Sequence, residues 1–332
     1  MPRLHAKIRR RIKPPVRIGA IALLSGFGLV GIGQSPSECA ENPTDDALAR
    51  YAELTDTTIL RAPGLPVIAE SVTASLPAET NAAVWALKGA LLERGVEMLP
   101  YRELFTLAVS SGWSNTPPAA QIDRIPAGHI GRSALPQVQG SNQEVIASGM
   151  IDFIHADGNQ VLQLYSELTG KTLLRPPDIG RFQVKLRTQT PLNKAAAIYA
   201  MRAMFALRGL AVVLGGAKFE AILPIERAAA FKPHAPKLDP GDPPLDPKQI
   251  RDFRLAPATE LVEYYAQLTG QQAVKESKRN DVEMIFKATT PLTKSEILYA
   301  LRTLLAQEGL AVVQVDNKTL RLGRLDETDA VR

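Results

Sequence analysis

Tyr51–Pro63 reads YAELTDTTILRAP and Tyr165–Pro177 reads YSELTGKTLLRPP, with eight of thirteen residues identical at an offset of 114. One hundred residues further on, Tyr265–Gly270 reads YAQLTG. A match at fixed offset marks a repeated unit before any secondary structure is assigned. Working outward, residues 151–224 and 251–324 align without a gap at an offset of 100, and 21 of 74 positions are identical. Thr190-Pro191-Leu192 returns as Thr290-Pro291-Leu292, and Gly209–Val213 (GLAVV) returns as Gly309–Val313. In the upstream copy Pro77, Trp85 and Gly95 fall on Pro191, Tyr199 and Gly209.

Every copy has the same local pattern. In the second, IDFIHA predicts a short strand, and Asp157 is placed to cap a helix whose apolar positions Val161, Leu162, Leu164, Tyr165 and Leu168 follow helical spacing. Gly170 is a left-handed stop. Lys171–Arg175 and Phe182–Arg187 predict two more strands, the latter with Phe182, Val184 and Leu186 on one face. In the third copy Thr293 and Glu296 form a capping box before the stripe Ile297, Leu298, Leu301, Leu304, Leu305, and Gly309 ends that helix. A hairpin follows, Ala311–Val315 and Thr319–Leu322, turning at Asp316-Asn317, a pair tolerant of positive φ. The unit is βαββαββ, about 75 residues long. The expected class is α+β, with the helices on one side of a single small sheet. In the first copy the residues aligned with the first strand, Ser37–Glu41, carry no strand pattern, so its sheet is expected to lack that strand and carry an open edge.

The repeats set the domain boundaries: modules at 41–110, 149–225 and 249–324, linkers at 111–148 and 226–248, and a tail at 325–332. The second linker includes FKPHAPKLDPGDPPLDPKQ, whose proline density favours extended chain over helix or central strand. Residues 1–40 stand apart. They hold Arg3, Lys7, Arg9, Arg10, Arg11, Lys13 and Arg17, then the apolar run Ile18–Ile32, then small and polar residues. That is the layout of a secretory signal peptide, or of an uncleaved amino-terminal anchor through residues 18–32. Either way the rest of the chain is expected to be exported to the periplasm or cell envelope.

Composition and charge narrow the function. The 332 residues are 45% hydrophobic and 22% charged, enough for two or three ordinary cores. The single cysteine, Cys39, excludes an internal disulfide framework and a cysteine zinc site. The net charge of +5 suggests an acidic partner until it is located. Seven of the 39 basic residues and one of the 34 acidic residues lie in residues 1–40, so the body keeps 32 against 33 and is neutral within one charge. The basicity belongs to the export segment, and nucleic acid is not an expected partner.

The run LYSELTGKTLL, then TPL(N/T)K ahead of an amphipathic helix, then GLAVV and a strand closing on Ala221-Ile222-Leu223-Pro224, resembles the N-terminal (N0/N1-like) domains of secretins. These belong to the ring-forming outer-membrane channels of type II secretion and type IV pilus systems. The resemblance spans all three copies. It implies compact KH-like α+β modules that pack side by side and bind secretion or pilus components, or further copies of the same chain. A secretin continues into a long β-rich channel domain, whereas this chain stops at Arg332, so a channel-less relative is expected. A KH-type nucleic-acid clamp needs a GxxG loop between two helices, and none occurs at a helix junction here.

Catalytic groups are sparse. His5 lies in the export segment, His129 and His234 in linkers, and His155 at a strand end; no HExxH, CxxC, GxSxG or phosphate-loop motif is present. No cofactor and no metal are expected, and the chain is read as non-enzymatic, an assembly protein acting through sheet edges and helix faces. The alternative is a cell-envelope ligand-binding or hydrolytic protein with a site between modules. Lys194 and Lys294 are the candidate interface residues, because a lysine in the first turn of a helix opposes the helix dipole and gains nothing locally.

Overall fold

The computed structural model describes residues 42–113, 145–228, 231, 241–246, 249–274 and 282–326. The export segment with Cys39, the Ser37–Glu41 stretch, most of both linkers and residues 327–332 lie outside them. The first repeat runs α1 (Pro43–Thr55), β1 (Thr58–Arg61), α2 (Thr80–Glu93), β2 (Val96–Tyr101) and β3 (Phe105–Ser110). The second runs β4 (Val145–Ile146), β5 (Asp152–Asp157), α3 (Gly158–Thr169), β6 (Thr172–Leu174), β7 (Gln183–Arg187), β8 (Leu192–Asn193), α4 (Lys194–Leu207), β9 (Leu210–Leu214) and β10 (Phe219–Pro224), and closes with the short α5 (Ile225–Ala228). The third runs β11 (Phe253–Pro257), α6 (Ala258–Thr269), β12 (Gln272–Ala273), β13 (Glu283–Phe286), α7 (Lys294–Gln307), β14 (Leu310–Asp316) and β15 (Thr319–Arg324). The class is α+β.

The helix ends are set by the residues the sequence points to. Asp157 accepts the Asn159 N–H at 3.0 Å and forms a reciprocal capping box with Gln160, and Thr293 does the same with Glu296. Gly170 and Gly270 close α3 and α6 at φ of 66° and 73°, a conformation that costs a residue with a Cβ free energy.

Where a single sheet is expected, the strands of the repeated unit divide into two, apart from the short β4-β8 pair. In the second repeat β6, β10 and β9 form a three-stranded sheet, with β6 parallel and β9 antiparallel to β10, while β5 and β7 pair separately. The third repeat copies this with β12-β15-β14 and β11-β13. A parallel neighbour needs a long crossover, which the β7 to β9 passage through α4 supplies for β6 and β10. With the β10 edges taken by β6 and β9, β7 finds its partner in β5.

In the first repeat the stretch expected to lack a strand, Ser37–Glu41, lies outside the described residues. The three-stranded sheet of this repeat, β1-β3-β2, is complete, and it is the two-stranded sheet that has no counterpart among the described residues. Residues 69–73, aligned with β7, run as irregular chain, and Glu70 stands where Val184 is buried. Its inner core gathers Leu48, Ile59, Leu87, Leu91, Val96 and Met98. The tight turn of the third repeat also differs: Asp316 pairs with Thr319, neither Asp316 nor Asn317 has positive φ, and the Asp316 carboxylate accepts the Lys318 N–H at 2.7 Å instead.

Both linkers end in an ordered strap. Val145–Ile146 pairs antiparallel with Leu192–Asn193, and one hundred residues on, the Leu245 N–H donates to the Leu292 carbonyl at 2.9 Å while Pro244 bridges Thr293. The structural repeat thus begins a few residues ahead of the expected boundaries at 149 and 249. The repeats belong to one compact unit, Glu41–Arg332.

Candidate functional site

The most concentrated charge chemistry is inside the second repeat, and it is closed. Glu220 of β10 is fully buried; Tyr165 donates to it at 2.6 Å, Arg202 at 2.9 Å, and Lys171 lies 3.2 Å away. Arg202 Nε also donates to the Tyr165 hydroxyl at 2.7 Å. Burial, and then the neighbouring Glu220 charge, push the Tyr165 phenol far above its ordinary range, so it stays protonated. Such a cluster holds a core together and offers no nucleophile or base to a substrate. His155 lies in β5, while His5, His129 and His234 fall outside the described residues. Among the described residues no group of three or more His, Cys, Asp or Glu is placed to hold a metal ion, and no helix is long and apolar enough to cross a membrane.

The surfaces that recur are those joining one repeat to the next. At the first junction the outer face of β1-β3-β2 lies on α4 and β7 of the second repeat. Tyr101 stacks on Tyr199 with ring centroids 5.9 Å apart and 18° between planes, their hydroxyls hydrogen-bonded, and Phe105 packs on the same Tyr199 at 5.9 Å. Thr58 and Thr190 share a buried hydroxyl hydrogen bond of 3.1 Å. Asp45 accepts from Arg61 of its own repeat and, at 3.0 Å, from Lys185 across the junction. Desolvation pushes the Asp45 carboxyl up, but the two cations outweigh it and hold it below the usual carboxylate range.

The second junction is built largely from the equivalent positions, with the threonine partner moved from Thr190 to Thr289, one residue before the counterpart Thr290. Phe219, 114 residues after Phe105, packs at 5.3 Å on Tyr299, 100 residues after Tyr199. Thr172, the counterpart of Thr58, shares a 3.1 Å hydrogen bond with Thr289 and accepts the Thr289 N–H. Gly215 replaces Tyr101, and the space is closed by Tyr299 itself, whose hydroxyl would lie 3.1 Å from a Cβ at that position. Backbone pairing adds an antiparallel bridge between Arg175 and Ile285. Lys218 Nζ reaches Glu296 at 2.8 Å and the Pro291 carbonyl at 2.9 Å, and the Gln307 amide donates to the Leu174 carbonyl at 3.1 Å. Aromatic rings pack across both junctions, Tyr101 and Phe105 on Tyr199 in the first and Phe219 on Tyr299 in the second.

Lys194 and Lys294, the candidates from sequence, are the exposed first residues of α4 and α7. Lys294 sits beside Asp242, whose carboxylate accepts the Ser295 N–H at 2.8 Å and is held below its usual range by that hydrogen bond first. The lysines that do cross junctions, Lys185 and Lys218, are not marked by the sequence, because their partners Asp45 and Glu296 are 140 and 78 residues away. A usable signal exists at the aromatic positions: Trp85, Tyr199 and Tyr299 hold one helix position in all three repeats. No protein-family model matches the chain, and no curated protein matches it.

Proposed function

We propose that the chain is a non-enzymatic, exported assembly protein of the cell envelope, working by module-on-module packing within, or beside, a secretion or pilus-type apparatus. The observation that supports this is the twofold use of one junction, a sheet face seated on an aromatic-bearing helix face. A fold that spends its apolar sheet surface on neighbours of its own kind is suited to bind further modules of that shape. The secretin-like run LYSELTGKTLL and the basic-then-apolar amino terminus supply the envelope context. The test is affinity capture from envelope extracts with the full chain as bait and identification of what binds by mass spectrometry. Enrichment of secretion ATPase, pseudopilin, platform or channel components is expected. Recovery of none of these by a folded bait overturns the reading.

A further inference from the structure

Three repeats make two junctions, which leaves one helix face and one sheet face over. The unused helix face is that of α2. Trp85 stands where Tyr199 and Tyr299 receive a phenylalanine, and it is 73% exposed, against 8% for Tyr299. Gly89 is likewise exposed where Ala203 and Thr303 are buried. The Lys88 ammonium lies over the indole, 5.9 Å from the ring centroid. The sheet face left partly open among the described residues is that of the third repeat, where Ala311, Val313 and Gly323 at one end are buried and the other end is not. Val274 stands where Leu60 and Leu174 are fully buried, and it is 43% exposed; Val315, at the position of Tyr101 and Gly215, is 54% exposed.

We propose that these two surfaces are the halves of a third junction made between molecules, the third-repeat sheet of one copy seating on α2 of the next. The occupant follows from continuity with the interface already used twice inside the chain: a sheet face of this kind is covered by a helix face of this kind, and the one such helix face left open among the described residues is that of a second copy. Tryptophan at the centre of the receiving face suits the role, since it is enriched among residues that carry binding energy. The two surfaces differ, so the contact is heterologous, and each bound copy presents a fresh face at either end; association continues past the dimer. The first repeat has no described counterpart of β7, against which β1 packs at the first junction, so the contact between copies is smaller than the internal ones and reverses on dilution. The inference goes beyond the envelope reading and does not depend on any particular apparatus.

Sedimentation velocity of the full chain, in a mild detergent that disperses the apolar run at 18–32, tests it. The average mass is expected to rise with concentration beyond that of a dimer. Trp85→Glu removes the receiving face, and the pair Val274→Glu with Val315→Glu removes the sheet face; each variant alone is expected to stay monomeric. All three positions are exposed, so folding is not at risk. An equimolar mixture of the two variants retains one good face of each kind and is expected to form dimers and nothing larger. A wild-type mass independent of concentration, association of either variant like wild type, or a mixture that stays monomeric overturns the proposal. Failure of the capture experiment beside a positive result here would remove the apparatus reading alone.

Discussion

β10 and β15 are the same strand of the same unit, yet they are built differently. Phe219–Pro224 reads FEAILP, and its first five residues are all buried; Thr319–Arg324 reads TLRLGR, and its buried leucines alternate with more open Thr319 and Arg321. The difference is the neighbour. β10 has helices on one face and the third repeat on the other, whereas among the described residues no further repeat lies on β15. A strand covered on both faces reads as a continuous apolar run, and one covered on a single face alternates. The pattern of a strand therefore records how many layers lie on it. By the same reading β3, FTLAVS, is the centre of a sandwich.

The contrast can be tested position by position. Phe219→Ala empties the second junction and is expected to cost about 3–5 kcal/mol in urea unfolding, as for other buried aromatics. Thr319→Ala at the equivalent place should cost under about 1 kcal/mol; equal losses would mean that the outer face of the third repeat is no less covered than that of the second. Glu220→Leu installs the residue that the third repeat carries as Leu320 but strands Arg202 and Tyr165, with an expected loss of about 3 kcal/mol. Adding Arg202→Leu should recover part of it, and no recovery would show that the carboxylate acts otherwise than through that arginine. Gly215→Ala drives a Cβ to 3.1 Å from the Tyr299 hydroxyl and 3.3 Å from the Phe219 Cβ. It is expected to cost about 1–2 kcal/mol by overpacking, while Val315→Ala is nearly neutral.

The smallest effect extends the comparison to the first covered sheet. Asp45 is a carboxylate held by Arg61 and Lys185, and its counterpart Asn159, which accepts from Arg175, does not titrate. A carboxyl depressed in the folded state stabilises above its unfolded value near 3.8, and that contribution is lost as the pH falls through the folded value. Acidification below pH ~4 should therefore loosen the first junction in particular, and Asp45→Asn should flatten that part of the urea midpoint's pH profile. An unchanged profile in the variant would remove Asp45 as the source.

Much of the fold was legible because it is local. Caps at Asp157 and Thr293, glycine stops at 170 and 270, and the helix stripes are set within a few residues, and the repeat is visible at two fixed offsets. The split into two sheets was not legible, since it depends on which strand wins the β10 edge across a helix crossover. The junctions were half legible. Phe105 and Phe219 are identical at the offset of 114, but the third copy carries Thr319 there, so the position is not marked across all three, and the ion pairs at Asp45 and Glu296 join distant segments. The alternation in TLRLGR against the continuous FEAILP was present in the sequence and carries the information that one face is less covered at Thr319 and Arg321.

The straps at Val145–Ile146 and Leu245 give the internal junctions an advantage that no surface supplies. Each fastens the incoming chain beside the start of the second helix of its repeat, so the preceding sheet is delivered already close to its seat. A tethered partner is present at an effective concentration on the order of millimolar, and a contact too weak to hold two free molecules at micromolar levels closes reliably within one chain. The chain can thus keep its repeats stacked at any dilution and leave the contact between molecules to report how many copies have been gathered in one place.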